Sequence, residues 1–140
     1  MLDLIQNPFE DFIYVGLVSS LALLVTYFTM FKSGMGRSKY KVSAPDHQGP
    51  DDYNRRVRAH QNTIEHLVMY LPGMWLFAFA VSPIWAAGIG VIWPVARLFY
   101  ALGYYQAPEK RLLPLYISMP VIYAFLLGAP IGFIVTLLRN

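Results

Sequence analysis

Cysteine is absent from this chain of 140 residues, and charge is scarce. Without cysteine there is no disulfide framework, no thiolate nucleophile and no Cys-based metal site. Any thiol chemistry must use a thiol carried by another molecule. Charged residues make up 14% of the chain, where an ordinary soluble domain has roughly 25%. Histidine is nearly as sparse. His60, Glu65 and His66 lack the two-histidine HExxH spacing, and His60 and His66 fall on different helix faces. No metal site is expected, and His47 in a polar loop is expected to be solvated. There is no Walker loop, no GxGxxG and no Ser–His–Asp arrangement. The net charge of +3 is not a nucleic-acid signal, because its basic residues are confined to a few loops.

What the chain has in quantity is apolar sequence, 56% of all residues. Four runs are expected to span a membrane. Phe12 to Phe31 is about 20 residues, which matches a hydrocarbon core of roughly 30 Å at 1.5 Å per residue. Val57 to Val81 is a second span with two polar first turns, Ile84 to about Tyr105 a third, and Pro114 to Leu138 a fourth. The fold expected is an all-α membrane protein, a four-transmembrane-helix bundle forming one domain over residues 1–140. The turn at Ser82 and Pro83 is so short that the second and third spans must form an antiparallel hairpin. Pro72, Pro94, Pro120 and Pro130 lie inside spans, where neighbouring helices and water satisfy the freed carbonyls. Kinks are expected chiefly near Pro72 and Pro94. The opening MLDLIQNPFED is acidic, and no small-residue cleavage site follows a short apolar core. The first apolar run is therefore expected to be a retained span rather than a signal peptide.

Lysine and arginine set the orientation. Lys32, Arg37, Lys39, Lys41, Arg55, Arg56 and Arg58 fall in or beside the first loop, and Lys110 and Arg111 in the third. The opposite side has Arg139 with the acids Asp3, Glu10 and Asp11. The positive-inside rule predicts both loops in the cytoplasm and both termini outside. The first loop, about Ser33 to Asn54, is long for a connector, and such loops often bind something. SKYKVSAP within it has no clear helical period and is expected to lie as extended chain over the cytoplasmic mouth.

Two polar stripes could carry chemistry. In RVRAHQNTIEH (56–66), Arg58, Asn62 and Glu65 share one helix face, since steps of four and three residues each come close to a full turn. Glu65 lies about 10 Å deeper along the axis than Arg58. A charged stripe entering a bilayer is expensive unless it meets a partner or a ligand. It could be an internal ion-pair and amide network that locks the bundle. It could equally clamp a polar zwitterion, Arg taking a carboxylate, Glu an amine, and Asn an amide or carboxylate. The mixture of both signs with an amide favours the clamp. In ARLFYALGYYQ, Arg97, Tyr100 and Tyr104 recur at intervals of three and four. Such tyrosines are often interfacial belt residues, but Arg97 shares their face, and Gly103 permits close helix approach. Both stripes end at the cytoplasmic side and can converge. Arg111 follows at the foot of the fourth span. It is either a topology charge or a stabiliser of a nearby anion such as a thiolate.

SKYKV (38–42), RAHQNTIE (58–65) and LFYALGYYQAPEKR (98–111) together resemble the MAPEG superfamily, the membrane-associated proteins of eicosanoid and glutathione metabolism. The resemblance is strongest to microsomal glutathione transferases of the third type and their bacterial relatives, and it weakens at the chain ends. It implies a homotrimer of four-helix subunits in a bacterial inner membrane or endoplasmic reticulum, with glutathione bound between subunits near the cytoplasmic face. It implies glutathione contacts at Arg58, His60, Asn62 and Glu65, and at Tyr100 and Tyr104. Arg111 matches the arginine associated with the thiolate. Arg37 matches a basic residue near the peptide's carboxylates in the related leukotriene synthases. Two positions depart: Ser38 stands where those synthases have a second arginine, and His66 where they have a glutathione-contacting tyrosine. Both argue against leukotriene synthesis without touching glutathione binding.

The activity implied is conjugation of glutathione to apolar electrophiles arriving from the membrane lipid, with reduction of lipid hydroperoxides beside it. Two other functions compete. A non-catalytic lipid-binding scaffold of the same fold would not need the polar set. A small proton-coupled exporter would need a solitary titrating carboxylate, whereas Glu65 has Arg58 and Asn62 on its own face.

Overall fold

The structure, a computed structural model, describes residues 9–139, so Asp3 lies outside the described residues. The order is α1 (Phe12–Tyr40), α2 (Asp51–Ala80), α3 (Pro83–Gly90), α4 (Ile92–Gln106), a 3-10 turn (Pro108–Arg111) and α5 (Leu112–Arg139). The chain is all-helical among the described residues. Three stretches are long and apolar enough to cross a membrane: Phe12–Tyr40, Pro83–Gln106 and Pro108–Arg139. Helix α2, with Arg55, Arg56, Arg58 and Glu65 in its first half, is a further long helix beside them.

The first helix runs further than its composition suggests. Ser38, Lys39 and Tyr40 are helical, where extended chain was expected. The apolar period fades because the helix projects past the apolar region. It still packs on α2 there, through Gly36, whose absent Cβ leaves room for Tyr53 and Arg56, and through Tyr40, whose ring lies beside Tyr53 and Arg56. The stop comes at Lys41, in the left-handed region at φ 55°. The amides of Lys41 and Val42 bond to the carbonyls of Ser38 and Arg37 at 3.4 and 3.0 Å, the Schellman pattern that closes a helix end. The connecting loop is thus residues 41–50, much shorter than the expected 33–54. Asn54 ties it down, donating from Nδ2 to the Gly49 carbonyl at 2.7 Å and accepting from the Gly49 amide at 2.9 Å.

The third span is broken at Val91. Pro94 has no N–H, so the carbonyl of Gly90, four residues earlier, loses its helical partner. The hydroxyl of Tyr70 on α2 donates to that carbonyl at 2.9 Å. Helix α2, by contrast, runs unbroken through Pro72. At the hairpin turn, Pro83 takes the first helical position of α3, and the Ser82 hydroxyl accepts from the amide of Trp85.

The core sits around α2, which packs most closely on α5 and α1. Tyr70 stacks on Trp93 with ring centroids 4.2 Å apart, and Phe125 fills the space between Tyr70 and Phe77. Small residues bring α5 close: a Cβ at Gly132 would lie 2.8 Å from the Ala80 carbonyl oxygen. Trp75 Nε1 donates to Ser19 Oγ at 3.0 Å and pins α1 to α2. Such interhelical hydrogen bonds are worth about 0.6–2 kcal/mol each in a membrane.

Candidate functional site

The first half of α2 carries its polar stripe on a face turned out of the bundle. Arg58 Nη1 donates to Glu65 Oε1 at 3.3 Å, bridging two turns. The pair stays open, with side-chain exposures of 53% and 54%. Asn62 lies between them, its Nδ2 3.5 Å from Glu65 Oε2. A helical step of about 100° per residue places all three on one line.

The α4 stripe meets this line from inside. Arg97 is fully buried. Its Nη2 donates to Asn62 Oδ1 at 2.9 Å and to the Asn62 main-chain carbonyl at 3.2 Å. Its guanidinium lies over the rings of Tyr100 at 4.6 Å and Trp93 at 5.6 Å. Its Nε and Nη1 are buried without a hydrogen-bond partner among the described residues. Tyr100 and Tyr104 are 3% and 7% exposed, with centroids 5.8 Å apart. Burial of this order rules out an interfacial aromatic belt, since belt rings must reach the headgroups.

The stripe continues to Arg111 by a fold-back of the chain. The close approach that Gly103 permits is to the 3-10 turn rather than to another helix: a Cβ there would lie 2.7 Å from the Lys110 carbonyl oxygen. That contact carries Arg111 back beneath α4, with its guanidinium 4.4 Å from the Tyr104 ring centroid. The result is a run of four groups, Arg97, Tyr100, Tyr104 and Arg111, alongside the α2 stripe.

Not all the expected residues join this cluster. His60 faces α1, where its Nδ1 is 3.0 Å from Thr29 Oγ1. Arg37 holds the first loop, donating to the Asp46 carbonyl at 2.8 Å and to His47 Nδ1 at 3.2 Å. His47 is accordingly partnered as well as exposed. Ser38 is exposed on the projecting end of α1. Arg97 was visible as the first member of the α4 stripe but not as part of a candidate site. The signal was there: an arginine three residues before a tyrosine within an apolar run is costly unless held.

Beside the cluster an open groove of about 480 Å³ runs between α2 and α5. Asn62 and His66 form its polar wall and Leu115, Met119, Pro120 and Tyr123 much of the rest. His66 Nδ1 is buried there with no hydrogen-bond partner among the described residues. No group of three or more His, Cys, Asp or Glu side chains suited to a metal occurs among the described residues. The arrangement offers guanidinium groups of both open and buried kinds, one carboxylate, one amide and two tyrosines, next to an apolar groove. It suits a small zwitterion reacting with an apolar molecule.

Comparison with known proteins agrees in character. The sequence pattern of the MAPEG family matches residues 15–131. An uncharacterised protein of Synechocystis sp. is 39% identical over 73% of this chain and 74% of its own. Microsomal glutathione S-transferase 2 of Bos taurus is 32% identical over 69% of this chain and 66% of its own. Leukotriene C4 synthase of Bos taurus is 31% identical over 79% of this chain and 73% of its own.

Proposed function

The chain belongs to the MAPEG family, and on that footing we propose that it is a membrane-bound glutathione transferase acting on apolar electrophiles. The observation that carries this reading is the pairing of an open Arg58–Glu65 ion pair with a buried Arg97 on the same amide. A network that served only packing would be covered by the protein on all sides. This one leaves a cation, a carboxylate and an amide facing outward on a helix of an apolar bundle, which is costly without a ligand or a neighbouring subunit. The name borne by the bovine transferase points to glutathione as that ligand.

Glutathione has two carboxylates, one amine and one thiol. Arg58 takes a carboxylate, Glu65 the amine, and Asn62 a peptide or carboxylate oxygen; Tyr100 and Tyr104 line the other side. The free thiol has a pKa around 8.5, so only a few per cent is thiolate at neutral pH. Arg111, held against Tyr104, stabilises the thiolate. A shift of two pKa units makes the thiol mostly ionised and corresponds to about 2.7 kcal/mol. The thiolate sulfur then bonds to the electrophilic carbon of a co-substrate lodged in the α2–α5 groove, and the leaving group departs with its electron pair. A hydroperoxide offers its terminal oxygen instead: the O–O bond breaks, the alkoxide takes up the thiol's proton, and a second glutathione converts the sulfenic acid to disulfide and water. No metal is required. We place the site on the cytoplasmic side, between subunits of a homotrimer, where a neighbour covers the open ion pair.

The test is direct. Purified protein with glutathione and a generic aryl halide should form the thioether, and with a lipid hydroperoxide should form the alcohol. Titration calorimetry should show glutathione binding that Arg58→Ala weakens by about 1.5–3 kcal/mol, the range for a hydrogen bond to a charged group. Unchanged affinity in that variant would sink the clamp.

A further inference from the structure

Arg97 has a second consequence for the ligand, through the direction in which it holds Asn62. A carboxamide can face a site in two orientations, related by a half-turn that exchanges its acceptor oxygen and its donor nitrogen. A guanidinium has donors only. Arg97 Nη2 sits 2.9 Å from one end of the Asn62 amide, so that end must be the oxygen. The opposite end, Nδ2, is then directed along the α2 stripe toward Glu65, at a distance of 3.5 Å that leaves its N–H groups weakly engaged.

The holder itself cannot swing away. Arg97 is fully buried, lies against Tyr100 and Trp93, and is anchored a second time on the Asn62 main-chain carbonyl at 3.2 Å. Turning the amide over would set two donors face to face in a covered place. That arrangement is disfavoured on the order of tenfold or more.

We propose that Arg97 is a positioning residue that locks the Asn62 carboxamide with its N–H groups toward the ligand, so that this point of the site selects a ligand group that accepts hydrogen bonds. The proposal rests on the glutathione reading above. It assigns to Asn62 a carboxylate or peptide carbonyl of the tripeptide, and excludes the amine. Being covered, Arg97 works through Asn62 rather than by touching the ligand.

Steady-state kinetics on the full chain in detergent, with glutathione varied against a saturating aryl halide, tests this. Arg97→Met keeps an unbranched stem as far as the position of the arginine Nε and removes every donor. The loss of its hydrogen bonds to Asn62 should lower stability, so thermal unfolding of the variant is read beside its kinetics. We expect KM for glutathione to rise about tenfold while kcat stays within about threefold. Arg97→Lys retains a donor-only group and should restore much of the loss. Asn62→Ala should raise KM by itself, and adding Arg97→Met to it should change little more, because the two act on one contact. A long-range charge effect of Arg97 would persist in the Asn62→Ala background and so overturn the proposal. A wild-type KM in Arg97→Met would overturn it too, as would equal loss of kcat and thermal stability in the Met and Lys variants. Calorimetry on the wild-type chain separates the two levels. Failure to bind glutathione overturns the transferase reading together with this proposal, whereas binding that is indifferent to Arg97→Met overturns the proposal alone.

Discussion

Replacing Gly103 by alanine should damage the reaction more than the binding of glutathione. The new Cβ would stand 2.7 Å from the Lys110 carbonyl oxygen and 3.1 Å from its carbon. The closest ordinary C···O contacts are about 3.3 Å, so the 3-10 turn must retreat by at least about 0.6 Å. Its backbone cannot rotate aside as a flexible side chain would. Arg111 is the last residue of that turn, and its place over Tyr104 depends on the fold-back. A 1 Å misplacement of a catalytic group can cost about 10²-fold in rate, so a shift of this size should cost roughly tenfold. Overpacking costs about 1–3 kcal/mol, partly offset by up to about 1 kcal/mol of helix propensity gained by alanine. The variant should therefore remain folded. Aryl-halide turnover, the ultraviolet thiolate band of bound glutathione, and calorimetry report the three quantities separately. The expectation is a tenfold lower kcat, a weaker thiolate band at neutral pH, and a Kd within about threefold of the parent. Unchanged turnover would refute the fold-back argument. A collapsed Kd with an intact thiolate band would place Arg111 in binding rather than in thiolate stabilisation.

Other outcomes follow from the same geometry. A guanidinium beside the thiol depresses its bound pKa below the ordinary value near 8.5. Thiolate should then persist as pH falls and fade only through that depressed value. Arg111→Ala should lower turnover at neutral pH with little change in affinity and recover partly at higher pH; a pH–rate profile superimposable on the parent's would leave Arg111 as a topology charge. Tyr70→Phe should leave the Gly90 carbonyl without its side-chain donor and destabilise the bundle by about 1–3 kcal/mol, with activity kept per folded molecule. Thermal unfolding in detergent measures it, and an unchanged midpoint would mean the break at Val91 does not depend on that bond. Native mass spectrometry should find a trimer, since a lone subunit leaves Arg58 and Glu65 half-open on an apolar bundle; an active monomer would remove the argument.

The helical character of the chain was readable because its apolar runs are long and because prolines and the Ser82–Pro83 turn punctuate them. The far end of α1 was not readable in the same way. Around SKYKV there is almost no apolar face left to betray a period, and the helix continues because only Lys41 adopts a backbone conformation that stops it. The break at Val91 was half-legible. Pro94 announces a lost hydrogen bond, but the donor that replaces it, Tyr70, lies 20 residues earlier in sequence on another helix.

The site shows the same division between what spacing encodes and what packing decides. Spacing by three and four places residues on one line of one helix, which is why Arg58, Asn62 and Glu65 could be grouped. It does not say where that line points. His60, within the same motif, turns to Thr29 on α1 instead, and Tyr100 and Tyr104 turn inward rather than toward the headgroups. Arg97 stood in plain view in the α4 stripe. What spacing could not supply was its partner, because α4 carries no carboxylate of its own and the guanidinium needs an acceptor from a neighbour. That acceptor is the oxygen of an amide already assigned to the ligand. One hydrogen bond thereby converts two separate stripes into a single surface. It also decides which end of Asn62 the ligand meets, a choice between donor and acceptor that the residue's identity leaves open.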